Sequence, residues 1–150
     1  MRAYLAARYG RLEELQGYRD DLLALGHEVT ARWVDGNHRW SSEQQRQDAD
    51  NGYPSSDATC FAWDDVDDIY YADTVIHFTE TPHSGYSRGG RHVEFGYALA
   101  INHYAVTRGN LGDVKRLVVI GPRENVFHNL PGMEVYETWE EFLRNIKAVR

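Results

Sequence analysis

A single cysteine, Cys60, stands in this chain of 150 residues, so no intrachain disulfide can brace it and a reducing cytoplasm is the expected setting. Long apolar runs are missing as well. None approaches the roughly 20 residues that span a bilayer, and the start MRAYLAARYG has neither a long apolar stretch nor a cleavage site, so no anchor or leader is expected. Positive charge is scarce: 16 Lys and Arg against 23 Asp and Glu leave a formal net charge of -7. A nucleic-acid polymer is therefore not expected as partner, because such binding needs a basic surface to displace counterions. His27, His38, His77, His83, His92, His103 and His128 show no ligand spacing such as H-E-x-x-H, so no metal is expected. Neither a P-loop nor a G-x-G-x-x-G turn follows the first apolar run, and no ATP, dinucleotide or other organic cofactor is expected.

What is present is ordinary globular material, with 42% hydrophobic and 26% charged residues, and the length suits one domain over residues 1–150. Short apolar runs alternate with amphipathic stretches, the pattern of βαβ units. Strands are expected at Ala3 to Ala7, His27 to Trp33, Thr74 to Phe78, Leu117 to Ile120 and Glu134 to Tyr136. Leu12, Leu15, Tyr18, Leu22, Leu23 and Leu25 recur at helical spacing before Gly26, a C-terminal cap. A second helix is expected over Phe61 to Tyr71, and Thr138 with Glu141 makes a capping box for the last one. Residues 35–57 read as a polar loop, with a helical turn after Ser41 and Ser42, and 102–115 as an extended connection. Trp33, Trp40 and Tyr53 frame the polar loop, either stacking on a flat ring or anchoring the loop to the core. Trp63 and Trp139 read as packing residues, and Cys60 as packed beside Phe61. The expected architecture is α/β: a single-domain, open, mostly parallel five-stranded sheet flanked by helices, in the flavodoxin-like or Rossmann-like manner. Ligands of such sheets bind beyond the carboxyl ends of the strands. The loops Arg8 to Gly10, Thr79 to Arg91 and Gly121 to Pro131 are expected there, with Arg8, Arg88, Arg91 and Arg123 available to form a local positive pocket for a small anion.

The stretch RGGRHVEFGYALA, Arg88 to Ala100, carries the strongest chemical signal. Gly89 and Gly90 allow a ligand close to the main chain, and the free N–H groups of a helix start favour anions. Glu94 follows, and a carboxylate near such a helix start is expected to stay ionised and able to attack. The competing structural reading is that acids are common in first helical turns because they complement the dipole.

Four segments, RAYLAAR, DVDDIYYADTVIHF, RGGRHVEFGYALA and RLVVIGPRENVFHNLPG, together resemble the nucleoside 2-deoxyribosyltransferase superfamily, which includes the 2-deoxynucleoside 5-monophosphate N-hydrolases. The resemblance implies an enzyme that cleaves or exchanges the N-glycosidic bond of a 2-deoxynucleoside or its 5-monophosphate through a covalent deoxyribosyl intermediate. It makes Glu94 the nucleophile, Asp65 the acid that manages the nucleobase, with Asp64 as an alternative register, and Tyr4 the residue that orients the nucleophile. It also implies a homo-oligomer with a shared active site, in which Val126 to Leu130 reaches a neighbour and His128 or Asn129 contacts substrate. The family's transferases carry an acid just before the nucleophile. Here Ser87, Arg88, Gly89 and Gly90 occupy that place, and with Arg8 they suit a 5-phosphate instead. A non-catalytic nucleotide sensor on the same fold is the alternative of a different class.

Overall fold

The computed structural model describes residues 1–52, 56–81 and 89–148. Strands β1 (Arg2–Ala6), β2 (Glu28–Val29), β3 (Thr74–Phe78), β4 (Arg116–Ile120) and β5 (Met133–Tyr136) form one parallel sheet in the order β2-β1-β3-β4-β5. This is the expected open α/β sheet, and its strand order reverses between β1 and β3, the place where such sheets take ligands. Asp73 starts β3: both its carboxylate oxygens accept from the Arg2 backbone N–H, at 3.0 and 2.9 Å, which sets the β1–β3 register that places Tyr4 opposite Val75.

Helices cover both faces. Successive strand residues point to opposite sides. Phe78 meets Tyr18 of α1 (Leu12–Ala24), whose ring in turn stacks on Trp139 of α5 (Trp139–Ala148) at 4.4 Å. Its neighbour His77 instead meets Phe95 of α4 (Gly90–Arg108), which packs with α3 (Ser56–Tyr71) against β1. The expected cap is present in its Thr138 half, with the Glu141 N–H donating to Thr138 Oγ1 at 3.2 Å, while the Glu141 carboxylate reaches one residue further and accepts from the Glu137 N–H at 2.8 Å. No described helix is long and apolar enough to cross a membrane.

Several expectations are corrected. The second strand is not His27 to Trp33: only Glu28–Val29 pair with β1, and Arg32–Asp35 form a short 3-10 helix. Tertiary hydrogen bonds pull the chain out of the sheet, from the Trp33 indole to the Leu5 carbonyl at 2.9 Å and from the Arg32 N–H to Asp68 at 2.8 Å. Trp33 is thereby an anchor. The polar loop contains a helix, α2 (Ser42–Asn51), with Ser41 accepting from the Gln44 N–H and Gly52 closing it in the left-handed conformation. Because α2 buries no residue, it has no apolar period to read. The connection 102–115 is helical as far as Arg108, and Asn102 binds the Lys115 backbone through both amide atoms, at 2.8 and 2.7 Å. Cys60 is exposed rather than packed, and Trp63, at 64% exposure, is not a core residue, whereas Trp139 is. Tyr53 lies outside the described residues.

Gly121, directly after β4, has φ 106°, and a Cβ there would sit 2.5 Å from Thr79 Oγ1. Gly121→Ala is expected to cost about 2–3 kcal/mol through the combined clash and backbone strain. A urea midpoint equal to that of the parent protein would overturn this close-approach account.

Candidate active site

Three side chains from three elements converge at the switch between β1 and β3. Tyr4 rises from the middle of β1 with no exposed surface, Asp65 comes from α3 and Glu94 from α4. The two acids line one cleft of about 880 Å3, together with Arg8, Trp40, Gly89 and Gly90. Tyr4 Oη, Asp65 Oδ1 and Glu94 Oε2 are all buried without a hydrogen-bond partner. The phenol is nevertheless close enough to be coupled to both carboxylates. Buried polar atoms without well-formed hydrogen bonds are rare in folded proteins, which singles out this point as a candidate site.

Their protonation follows from the same burial. Burial pushes the Glu94 carboxyl well above the usual glutamate range and the nearby Asp65 adds to the push, while Tyr4 and Arg91 oppose it. Burial likewise pushes Asp65 up to about 6, against the pull of Tyr4 and His38. Tyr4 is raised too, first by burial and then by Glu94 and Asp65. The expectation that the helix start keeps Glu94 ionised is therefore corrected. No acid lies in the first turn of α4; Glu94 stands one turn in, its carboxylate folded back toward Gly90, where a Cβ would be 3.7 Å from Oε1. A helix dipole contributes about 0.3–1 kcal/mol and fades within a turn, whereas burying a carboxylate costs several kcal/mol. Burial wins, and both acids keep their protons to higher pH than free carboxyls do.

Asp65 rather than Asp64 faces Glu94. Asp64 is held by Arg32 at 2.7 Å and by His38 Nε2 at 3.2 Å, while His38 Nδ1 stands 3.9 Å from Asp65. The expected positive pocket resolves into ion pairs. Arg8 faces Glu80 at 3.7 Å, and the buried Arg91 donates to both oxygens of Glu124 at 3.1 Å. Arg123 donates to the His128 carbonyl, and Arg88 lies outside the described residues. Of these cations, Arg8 and Arg91 border the cleft. Gly89, at φ 80°, caps α4 and lets its first turn face the same space.

No family model and no curated protein matches the chain. Among solved structures, that of Clostridium botulinum CMP N-glycosidase, BcmB, matches with a TM-score of 0.52 and 20% identity, over 99% of each chain. What the two share is a fold.

Of the two residues expected to contact substrate from Val126 to Leu130, one is buried and one exposed. His128 is fully buried in its own chain, its ring 5.0 Å from His77 and 5.5 Å from Phe95, and so is turned away from any neighbouring molecule. Asn129 is exposed and donates to the Val126 carbonyl. His38, Glu80 and Glu124 escaped the sequence reading. Each is an isolated polar residue in a loop, and only the fold brings it to a charged partner at the sheet edge.

Proposed function

We propose that this protein breaks the N-glycosidic bond of a nucleoside or nucleoside 5-monophosphate, with Glu94 attacking the anomeric carbon. The observation that carries the reading is the convergence of Tyr4, Asp65 and Glu94, each with a side-chain oxygen shielded from solvent, at a cleft at the β1/β3 switch that the two acids line. As the C–N bond breaks, its electron pair stays with the base nitrogen, which Asp65 protonates, while a Glu94 oxygen bonds to the anomeric carbon. Water, or a second base, then attacks that carbon and gives its proton back to Asp65, releasing the sugar from Glu94. One nucleophile must be ionised and one acid protonated, and a pair holding one proton contains the right total. Tyr4, coupled to both, orients Glu94 and the proton.

Asp65 lines the same cleft as Trp40 and Phe61, which suits a flat nucleobase, and Gly89, Gly90 and Arg8 suit the sugar and a 5-phosphate. The activity named for BcmB, on CMP, fits the same reading and extends the candidates to ribonucleotides. Self-association belongs to the proposal as well. A second cleft, of about 1310 Å3, is bordered by the exposed apolar side chains Val106, Val114, Phe127 and Leu130, an apolar surface suited to a second copy of the chain.

The test is product analysis after incubation with each ribo- and deoxyribonucleoside and its 5-monophosphate, with and without a second free base. Free base with sugar or sugar phosphate is expected, fastest for a monophosphate. A new nucleoside in the presence of the second base would make the protein a transferase. Retained binding with no turnover on any substrate would overturn the catalytic reading in favour of a nucleotide sensor.

A further inference from the structure

Beside the proposed active site, β3, the first turn of α4 and the segment after β4 bring imidazoles and one carboxylate together. His77 Nε2 and His92 Nε2 stand 3.8 and 3.5 Å from the same oxygen, Oε1 of Glu124. The ligating atoms of the three residues all lie within 4.8 Å of one another. His77 is fully buried on the central strand, and neither of its ring nitrogens has a hydrogen-bond partner; Nδ1 of His128, whose ring is 5.0 Å away, is also buried and unpartnered. The spacings exceed good hydrogen bonds, yet they suit donors around a common centre. Ligands about 2.0–2.2 Å from a tetrahedral zinc ion stand roughly 3.3–3.6 Å apart, so the two distances to Glu124 already fit to within a few tenths of an ångström, and side-chain rotation of the half-exposed His92 closes what remains between the imidazoles.

We propose that His77, His92 and Glu124 bind a divalent transition-metal ion of the zinc type. Two imidazoles and a carboxylate are borderline donors, which favour zinc, cobalt or nickel over calcium and magnesium, whose sites are built from oxygen. Burial, together with His128, His92 and Arg91, holds the His77 ring far below the usual histidine range and hence neutral, the form that ligates. Arg91 clamps both Glu124 oxygens and orients the carboxylate, though its charge opposes the ion and keeps the affinity below that of a thiolate site. His92 is half-exposed and, with Glu124, opens on the larger cleft, which gives the ion access from solvent. Water, or His128 after rotation of its ring, fills the fourth position. The ion ties β3 and the loop after β4 to the start of α4, two residues from Glu94, and so fixes the helix that carries the proposed nucleophile. Binding is independent of whether the protein turns over nucleotides.

Chelator-treated full-length protein titrated with zinc chloride in a calorimeter is expected to bind one ion per chain, with a rise in melting temperature. Cobalt chloride in its place is expected to give the visible absorption of a four- or five-coordinate site. His92→Ala, checked for folding by circular dichroism, is expected to lose at least about 100-fold in affinity and to lose the cobalt spectrum; that matches or exceeds the upper end of what removing a merely orienting partner costs. His103→Ala, at an exposed position of the same helix, is expected to bind as the parent does. Absence of both the heat and the spectrum, equal affinity in His92→Ala, or loss in His103→Ala would each overturn the site.

Discussion

Glu94→Gln is expected to lower kcat/KM by at least about 1,000-fold, roughly 4 kcal/mol of transition-state stabilisation, while leaving substrate binding nearly unchanged. The amide keeps the shape of the side chain but cannot form the bond to the anomeric carbon. Loss of activity would not reflect unfolding, and the direction of the stability change makes this checkable. Because folding raises the Glu94 pKa, the folded state holds a proton that the unfolded state has released, so stability falls as pH rises above the ordinary glutamate range. Gln removes that penalty. The variant is expected to melt at or above the parent's temperature near pH 8, and its melting temperature should depend less on pH. Denaturation scans at several pH values, run beside kinetics, separate the outcomes: a variant that keeps its turnover removes Glu94 from the chemistry, and one that melts earlier at high pH contradicts the buried, raised carboxyl.

Asp65→Asn is expected to lower kcat by about 100- to 10,000-fold and to change the shape of the pH profile. The productive form of the acid pair carries one proton in total. With Asp65 pushed up to about 6 and Glu94 also raised, the pair is expected to lose its first proton as pH rises through about 6, and kcat/KM is expected to rise there. It falls again at higher pH as the last proton leaves. In Asp65→Asn there is no pair to exhaust, so the fall at high pH should vanish. Glu94 must then ionise alone, so the rise should move to the value of that residue. Substrates whose base departs readily without protonation are expected to lose much less in this variant than ordinary nucleosides. An equal loss for all leaving groups would assign Asp65 to substrate binding instead of proton transfer.

Both predictions concern residues that could be picked out along the chain, while their state could not. Which of Asp64 and Asp65 faces Glu94 is a matter of helix rotation, visible only once Arg32 and His38 take Asp64. The charge on Glu94 is a matter of burial. A helix start argues for an ionised carboxylate, and that local argument gives way when α4 packs on β1 with Tyr4 and Asp65 alongside. The arginines are similar: four cations read as a pocket, yet Arg8 and Arg91 meet Glu80 and Glu124 only after the ends of β1, β3 and β4 are brought side by side.

By itself the sequence determined the sheet and most of its helices. Thr74 to Phe78 is a run of five buried residues bounded by Asp73 and polar residues, and Thr138 with Glu141 marks a helix start, because hydrophobic period and capping act over a few neighbouring residues. It also singled out Glu94, through the glycines that precede it. Tertiary structure decided the rest. The second strand shortened to Glu28–Val29 because hydrogen bonds from Trp33 and Arg32 to distant Leu5 and Asp68 outcompeted local strand propensity. The start of helix α2 was legible in Ser41 and Ser42, but its length was not, because it buries nothing. The His77, His92 and Glu124 cluster has no spacing along the chain that could announce it, since its members come from a strand, a helix and a loop. Protonation and ligand geometry depend on distance and solvent exclusion, and these exist only once the chain has folded.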